Sequence, residues 1–209
     1  MKLYSLLLLF LPFTLLAQPT GFSSVKDITS FKTNFTKASQ ALESVSSDFV
    51  QIKNLSMLKD KITSSGKFYY KKGNKVRLEY KKPFYYLMVL NGGSMMVKDE
   101  QKQSNYNTHS NKMMQSINNI MMDCMSGNVY KNKDFTTQVF ENPKEFLLQM
   151  TPSTSMMKKL FSKIEVSVSK TDYRVLRLNM IENGGDNSLM TFSGHVLNKP
   201  LDETLFATK

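Results

Sequence analysis

The chain has 209 residues, 41% hydrophobic and 22% charged, with 28 Lys and Arg against 17 Asp and Glu for a formal net charge of +11. Its one cysteine, Cys124, excludes an intrachain disulfide framework and a cysteine-built zinc or iron-sulfur site. The length suits a single domain with a hydrophobic core, and the apolar content is too high for disorder despite the charge.

At the N-terminus, Met1-Lys2 precedes an apolar run from Leu3 to Leu16, broken by Pro12 and closed by Ala17-Gln18. A basic start, a short apolar stretch and a small residue at the junction make a cleaved secretory signal. The run also falls short of the ~20 apolar residues that span a bilayer. Processing is expected after Ala17, leaving residues 18–209 as one domain. The next residue is Gln18, where a bacterial lipoprotein would place its acylated cysteine, so the product is expected to be soluble and to carry no lipid of its own.

From Ser24 to Ser44, Ile28, Phe31, Phe35, Ala38 and Leu42 recur at steps of three and four, which predicts an amphipathic helix with Ser24 and Asp27 as its capping box. From Phe49 the period changes to two. Strands are predicted at Phe49–Asn54, Gly66–Lys72, Lys75–Tyr80, Tyr85–Leu90, Met95–Asp99, Phe135–Glu141, Glu145–Met150, Ile164–Ser169, Val175–Ile181, Leu189–Gly194 and Val196–Asn198. Turn signals such as Lys72-Gly73-Asn74, Asn91-Gly92-Gly93 and Gly184-Gly185-Asp186 separate neighbouring runs, and no crossover helices intervene. The expected sheet is therefore antiparallel. Ile164, Val166 and Val168 alternate with polar residues, whereas Tyr85 to Leu90 is apolar on both faces, as in a strand covered on two sides.

One segment interrupts the strands. Between Asn111 and Asn128, Met113, Ile117, Ile120, Met121, Cys124 and Met125 recur at helical spacing. Met113, Met114, Met121, Met122 and Met125 all fall in this stretch, and methionine is the side chain that best adapts to surfaces of variable shape. A core helix covering the sheet is the plainer reading of the same pattern.

Catalytic constellations are scarce. His109 and His195 each stand among small polar residues, as exposed loop histidines would, with neither metal-ligand spacing nor a nucleophile motif nearby. Gly92-Gly93 and Gly184-Gly185 belong to hairpin turns and cradle no phosphate. Cys124 falls on the apolar side of the methionine-rich helix, where a buried thiol is inert. No catalytic residue, metal or cofactor is expected. The lysines are dispersed, which argues against nucleic acid. Their densest stretch, Lys67 to Lys82, suits either anionic lipid headgroups or an acidic partner, or else a solvated strand face.

The order of Phe49-Val50-Gln51, Gly66-Lys67-Phe68-Tyr69-Tyr70-Lys71-Lys72, Val76-Arg77-Leu78-Glu79-Tyr80 with Pro83, and Val89-Leu90-Asn91-Gly92 resembles the LolA family of periplasmic lipoprotein carriers. Gly184-Gly185-Asp186 before Leu189 to Phe192, then Asn198, Leu201 and Leu205-Phe206, extend the likeness. The resemblance implies a mostly β (α+β) fold, a half-open antiparallel β-barrel of about 11 strands with an N-terminal helix and an inserted helical lid over an apolar cavity. It implies Phe49, Phe68, Tyr70, Val76, Leu78 and Tyr80 as the acyl-chain cavity and Met113, Ile117, Ile120, Met121 and Met125 as the lid. The family's latch arginine, which holds the lid from the end of the Gly66 strand, corresponds to Lys72, with Arg77 as the other candidate. The function implied is transport of lipoproteins across the periplasm by a monomer without enzymatic activity. Its partners would be an inner-membrane lipoprotein-releasing transporter and an outer-membrane acceptor. A periplasmic sensor of lipids or lipoproteins on the same half-barrel is the alternative.

Overall fold

The computed structural model describes residues 18–57, 60–108, 119–120 and 122–208. Among the described residues, twelve strands form one open antiparallel sheet in the order β1-β8-β9-β10-β11-β12-β2-β3-β4-β5-β6-β7, whose end strands β1 and β7 do not pair with each other. In chain order these are β1 (Ser23–Ser24), β2 (Ser44–Asn54), β3 (Ile62–Lys71), β4 (Lys75–Lys82), β5 (Tyr86–Asn91), β6 (Ser94–Asp99), β7 (Gln103–Asn107), β8 (Phe135–Glu141), β9 (Glu145–Pro152), β10 (Phe161–Ser169), β11 (Val175–Glu182) and β12 (Asn187–Leu197). Helix α1 covers Ile28–Gln40, a helical segment α2 includes residues 119–120 and 122–126, α3 is Ser155–Leu160, and a 3-10 turn follows at Glu203–Phe206.

The hairpins and the helix α1 follow the sequence pattern, with differences that have local causes. The helix starts later than its periodicity suggests, because Asp27 is the residue that caps it, accepting a hydrogen bond from Ser30 N at 2.8 Å. Ser24 instead belongs to β1, the short edge strand that pairs with β8, Ser23 lying opposite Glu141. The two runs predicted near the C-terminus are one strand, β12, with an irregularity between Ser193 and Val196 that lets it bend. The polar edge strand β7 and the six-residue α3 carry no apolar period and are not predicted by it.

Curvature depends on how closely strands approach. Gly66 of β3 is one such point: a Cβ there would lie 1.9 Å from the Glu79 carbonyl oxygen and 2.9 Å from the Phe49 ring. The missing side chain lets Phe49 of β2 cross its neighbour and meet Tyr80 of β4, ring centroids 4.9 Å apart.

The concave face has two territories. Helix α1 fills the first, over β8 to β10, where Phe31 and Phe35 stack 5.5 Å apart and Phe31 lies 4.4 Å from Phe146. The second, over β2 to β6 and β12, gathers Val45, Phe49, Phe68, Tyr70, Val76, Leu78, Leu90, Met95 and Met190. Helix α2 joins the two, with Ile120 and Cys124 in the first cluster and Met122 and Met125 packed on the second. On the convex face, Leu87, Val89 and Met96 are buried under Phe206 of the C-terminal turn. Arg77 and Asn91 hold that turn by donating to the Leu205 and Phe206 carbonyls at 3.2 and 3.0 Å. This explains why β5 is apolar on both sides.

Candidate functional site: an apolar cavity under the methionine-rich helix

Between the sheet and α2 lies a cavity of about 200 Å³, bounded by Phe68, Leu78, Tyr80 and Met88 on one wall and by Ile164, Val166, Leu178, Met180, Met190 and Phe192 on the other. Ile120, Cys124 and Met125 of α2 form its roof. A smaller cavity of about 60 Å³ shares Phe68, Cys124, Met125, Val175 and Phe192 with it and continues to Leu42, Asp172, Arg174 and His195. The two cavities adjoin along the inside of the sheet, a channel divided by these shared side chains. Its volume falls below the ~300–1,000 Å³ usual for small-molecule sites, so a large occupant must displace side chains.

Alternation along each strand places these residues. Phe68 and Tyr70, then Val76, Leu78 and Tyr80, point the same way on paired strands because Phe68 sits opposite Leu78 and Tyr70 opposite Val76. Of the six residues expected in the cavity, Phe68, Leu78 and Tyr80 line it. Phe49, Tyr70 and Val76 are buried in the same cluster but do not line the cavity, Tyr70 and Val76 lying two residues further along their strands than Phe68 and Leu78. Of the lid residues, Ile120 and Met125 line the cavity. Met113, Ile117 and Met121 lie outside the described residues, as do His109 and residues 1–17.

Neither latch candidate hydrogen-bonds to a described residue of α2. Lys72 Nζ donates to the Gln40 carbonyl at 3.0 Å and to Glu43 at 2.6 Å, tying the β3–β4 turn to the end of α1. Arg77 lies on the convex face, paired with Glu79 at 3.1 Å and holding the C-terminal turn.

The polar content of the channel is small and specific. Gln51 reaches into the larger cavity and donates to the Ser188 hydroxyl. Ser47, 3% exposed, lines the smaller cavity, and its hydroxyl has no hydrogen-bond partner among the described residues. His195 is not a loop residue: it belongs to β12, where its Nε2 donates to the Val175 carbonyl at 3.0 Å and burial lowers its pKa. Burial pushes the Tyr80 phenol and the Cys124 thiol up to about 12, so both stay neutral at ordinary pH and the thiol is unreactive. Among the described residues there is no group of three His, Cys, Asp or Glu that could hold a metal ion. No described helix is long and apolar enough to cross a membrane.

The second wall, contributed by β10 to β12, is what the sequence does not announce. The alternation of Ile164 and Val166 signals a buried face, but only sheet curvature brings that face opposite Leu78 and Tyr80.

The fold recurs in solved structures. An uncharacterized conserved protein from Thermus thermophilus aligns at 10% identity with a TM-score of 0.51, over 84% of this chain and 91% of that one. A LolA superfamily protein from Nitrosomonas europaea aligns at 10% identity and 0.46, over 84% and 97%. The lipoprotein LppX of Mycobacterium tuberculosis aligns at 14% and 0.45, over 82% and 96%. No curated protein sequence matches. The family model described as outer membrane lipoprotein carrier protein LolA matches residues 40–209, from the end of α1 through both cavity walls to the C-terminus, and the chain belongs to the LolA family.

Proposed function

We propose that this protein is a periplasmic carrier that holds lipoprotein acyl chains in the channel under α2 and moves lipoproteins from the inner to the outer membrane, without covalent chemistry. The observation that carries this reading is the channel itself. It is walled by strands from both halves of the sheet and roofed by α2, and its larger cavity is apolar apart from Gln51. Moving an acyl chain out of water is worth ~0.8 kcal/mol per methylene, on the order of 12 kcal/mol for a sixteen-carbon chain, which only an enclosed apolar site can supply.

The channel must widen to take such a chain, and its composition allows this. Met88, Met125, Met180 and Met190 line it, and unbranched thioether side chains change rotamer at little cost. The Ser47 hydroxyl offers a donor to an ester carbonyl at the head of the chain. Delivery to the periplasm follows from cleavage of the signal after Ala17. An inner-membrane releasing transporter supplies the cargo, and release occurs at the outer membrane.

Mass spectrometry of protein isolated from its native periplasm tests this. Co-purifying lipoprotein, lost when Leu78 is replaced by Asp in a variant that keeps its circular dichroism, is the expected result. Protein free of lipoprotein, even when the channel is altered to slow release, contradicts it.

A further inference from the structure

The basic stretch from Lys67 to Lys82 divides in the folded protein. Lys67 pairs with Asp48, Lys71 and Lys75 share Glu203, Lys72 pairs with Glu43, and Arg77 pairs with Glu79. Lys81 and Lys82 are exposed and form no ion pair among the described residues. They lead directly into Pro83-Phe84, the turn between β4 and β5, where Phe84 is 73% exposed.

That turn does not project alone. Ile62 lies opposite Lys53, Ser65 opposite Lys82 and Tyr86 opposite Asp99, so the β2–β3 loop, the β4–β5 turn and the β6–β7 turn share one end of the sheet. On the β2–β3 loop Met57 is 95% exposed, with Ile62 also exposed at the start of β3. The carboxylates near this end keep their charge and are turned onto the backbone: Asp99 accepts from the Gln101 and Lys102 amides, Glu100 from the Tyr85 amide, and Asp186 from Ser56. Asp60 is a further acidic residue, on the β2–β3 loop. Lys81 and Lys82 at the end of β4 are the two cations beside the turn, and Glu100 is the carboxylate bonded to it.

We propose that this end of the sheet docks on anionic phospholipid bilayers, with Phe84 and Met57 entering the interface and Lys81 and Lys82 meeting the headgroups. An exposed phenylalanine beside exposed lysines meets both requirements of interfacial binding, apolar insertion and attraction to negative charge. The surface also adjoins the channel wall. Tyr86 at the rim contacts Tyr80 with ring centroids 5.7 Å apart, and Tyr80 lines the cavity wall. Docking needs no cargo and stands independently of the carrier reading.

Flotation of the mature protein with vesicles of phosphatidylglycerol and phosphatidylcholine, against vesicles of phosphatidylcholine alone, tests it. The protein is expected to float with the anionic vesicles only, and less so as salt is raised. Phe84→Glu and the double variant Lys81→Ala/Lys82→Ala should each lower the partition coefficient by about tenfold or more. The exposure of these side chains leaves the fold unaffected by their replacement. A solution titration with a soluble acylated peptide should be unchanged in these variants, which separates docking from cargo binding. No flotation of the wild type, or equal flotation of wild type and variants, overturns the proposal. So does equal binding to both vesicle types.

Discussion

The two territories of the concave face use the same strand alternation and reach opposite results. Over β8 to β10, α1 inserts Phe31 and Phe35 between Phe146, Tyr130 and Tyr173, and the space is filled by aromatic rings. Over β2 to β6 and β12, faced by Ile164 and Val166 of β10, the covering element is α2, which contributes shorter and softer side chains and leaves a channel. One half is held together by what α1 supplies, and the other is made useful by what α2 leaves out. Helix α1 meets the channel at Ala38 and Ser39 near its C-terminal end, away from Phe31 and Phe35, so stability and binding should be separable by mutating those rings.

Phe35→Ala gives the largest effect. Phe35 is 1% exposed, and its removal should cost about 3–5 kcal/mol in urea unfolding while the folded fraction still binds an acylated peptide with unchanged affinity. Loss of binding per folded molecule would show that the two territories are not independent. Ser47→Ala acts in the opposite sense. It removes a buried hydroxyl without a partner among the described residues, so stability should rise by about 1 kcal/mol, while affinity for an ester-bearing lipid falls relative to a hydrocarbon of the same length. Equal changes for both ligands would remove Ser47 from the site.

The smallest effect lies outside both territories. Lys71 and Lys75 hold the Glu203 carboxyl down to about 2, from an ordinary 4.5. A depressed carboxylate contributes stability that is complete above about 4.5 and disappears as the pH falls through about 2. Glu203 is exposed, so the contribution is small and screened by salt. Melting curves of Glu203→Gln should lie slightly below wild type at neutral pH and low salt, and meet it at the acidic limit. A gap that persists there would assign the effect to packing of the C-terminal turn.

Much of the sheet was legible because period-two runs and glycine turns are local signals. The bounds of β8 agree between sequence and structure, and β5 declared its two covered faces. The edge strand β7 was not, since Gln103 to Asn107 buries no face and has no apolar period. The site was half legible. Phe68, Leu78 and Tyr80 lie on strands whose alternation marks an inner face, and Ile120 and Met125 on a helix whose period marks its buried side. Alternation gives the face of a residue but not where along the sheet the cavity lies, which is why Phe49, Tyr70 and Val76 share the inner face without lining it. Leu178 and Met190 were hidden for a different reason: β12 pairs with β2 across more than half the chain, and no local pattern encodes that junction.

Filling the channel tests the carrier reading most directly. Leu178 packs against both clusters and lines the cavity, so Leu178→Phe adds volume at the boundary between the filled and unfilled territories. Isothermal titration of a diacylated lipopeptide should show saturable binding to the wild type. The variant should bind at least about tenfold more weakly while its unfolding free energy is equal or higher by about 0.5–2 kcal/mol. Undiminished lipopeptide affinity in a folded Leu178→Phe variant would contradict the claim that this channel holds the cargo.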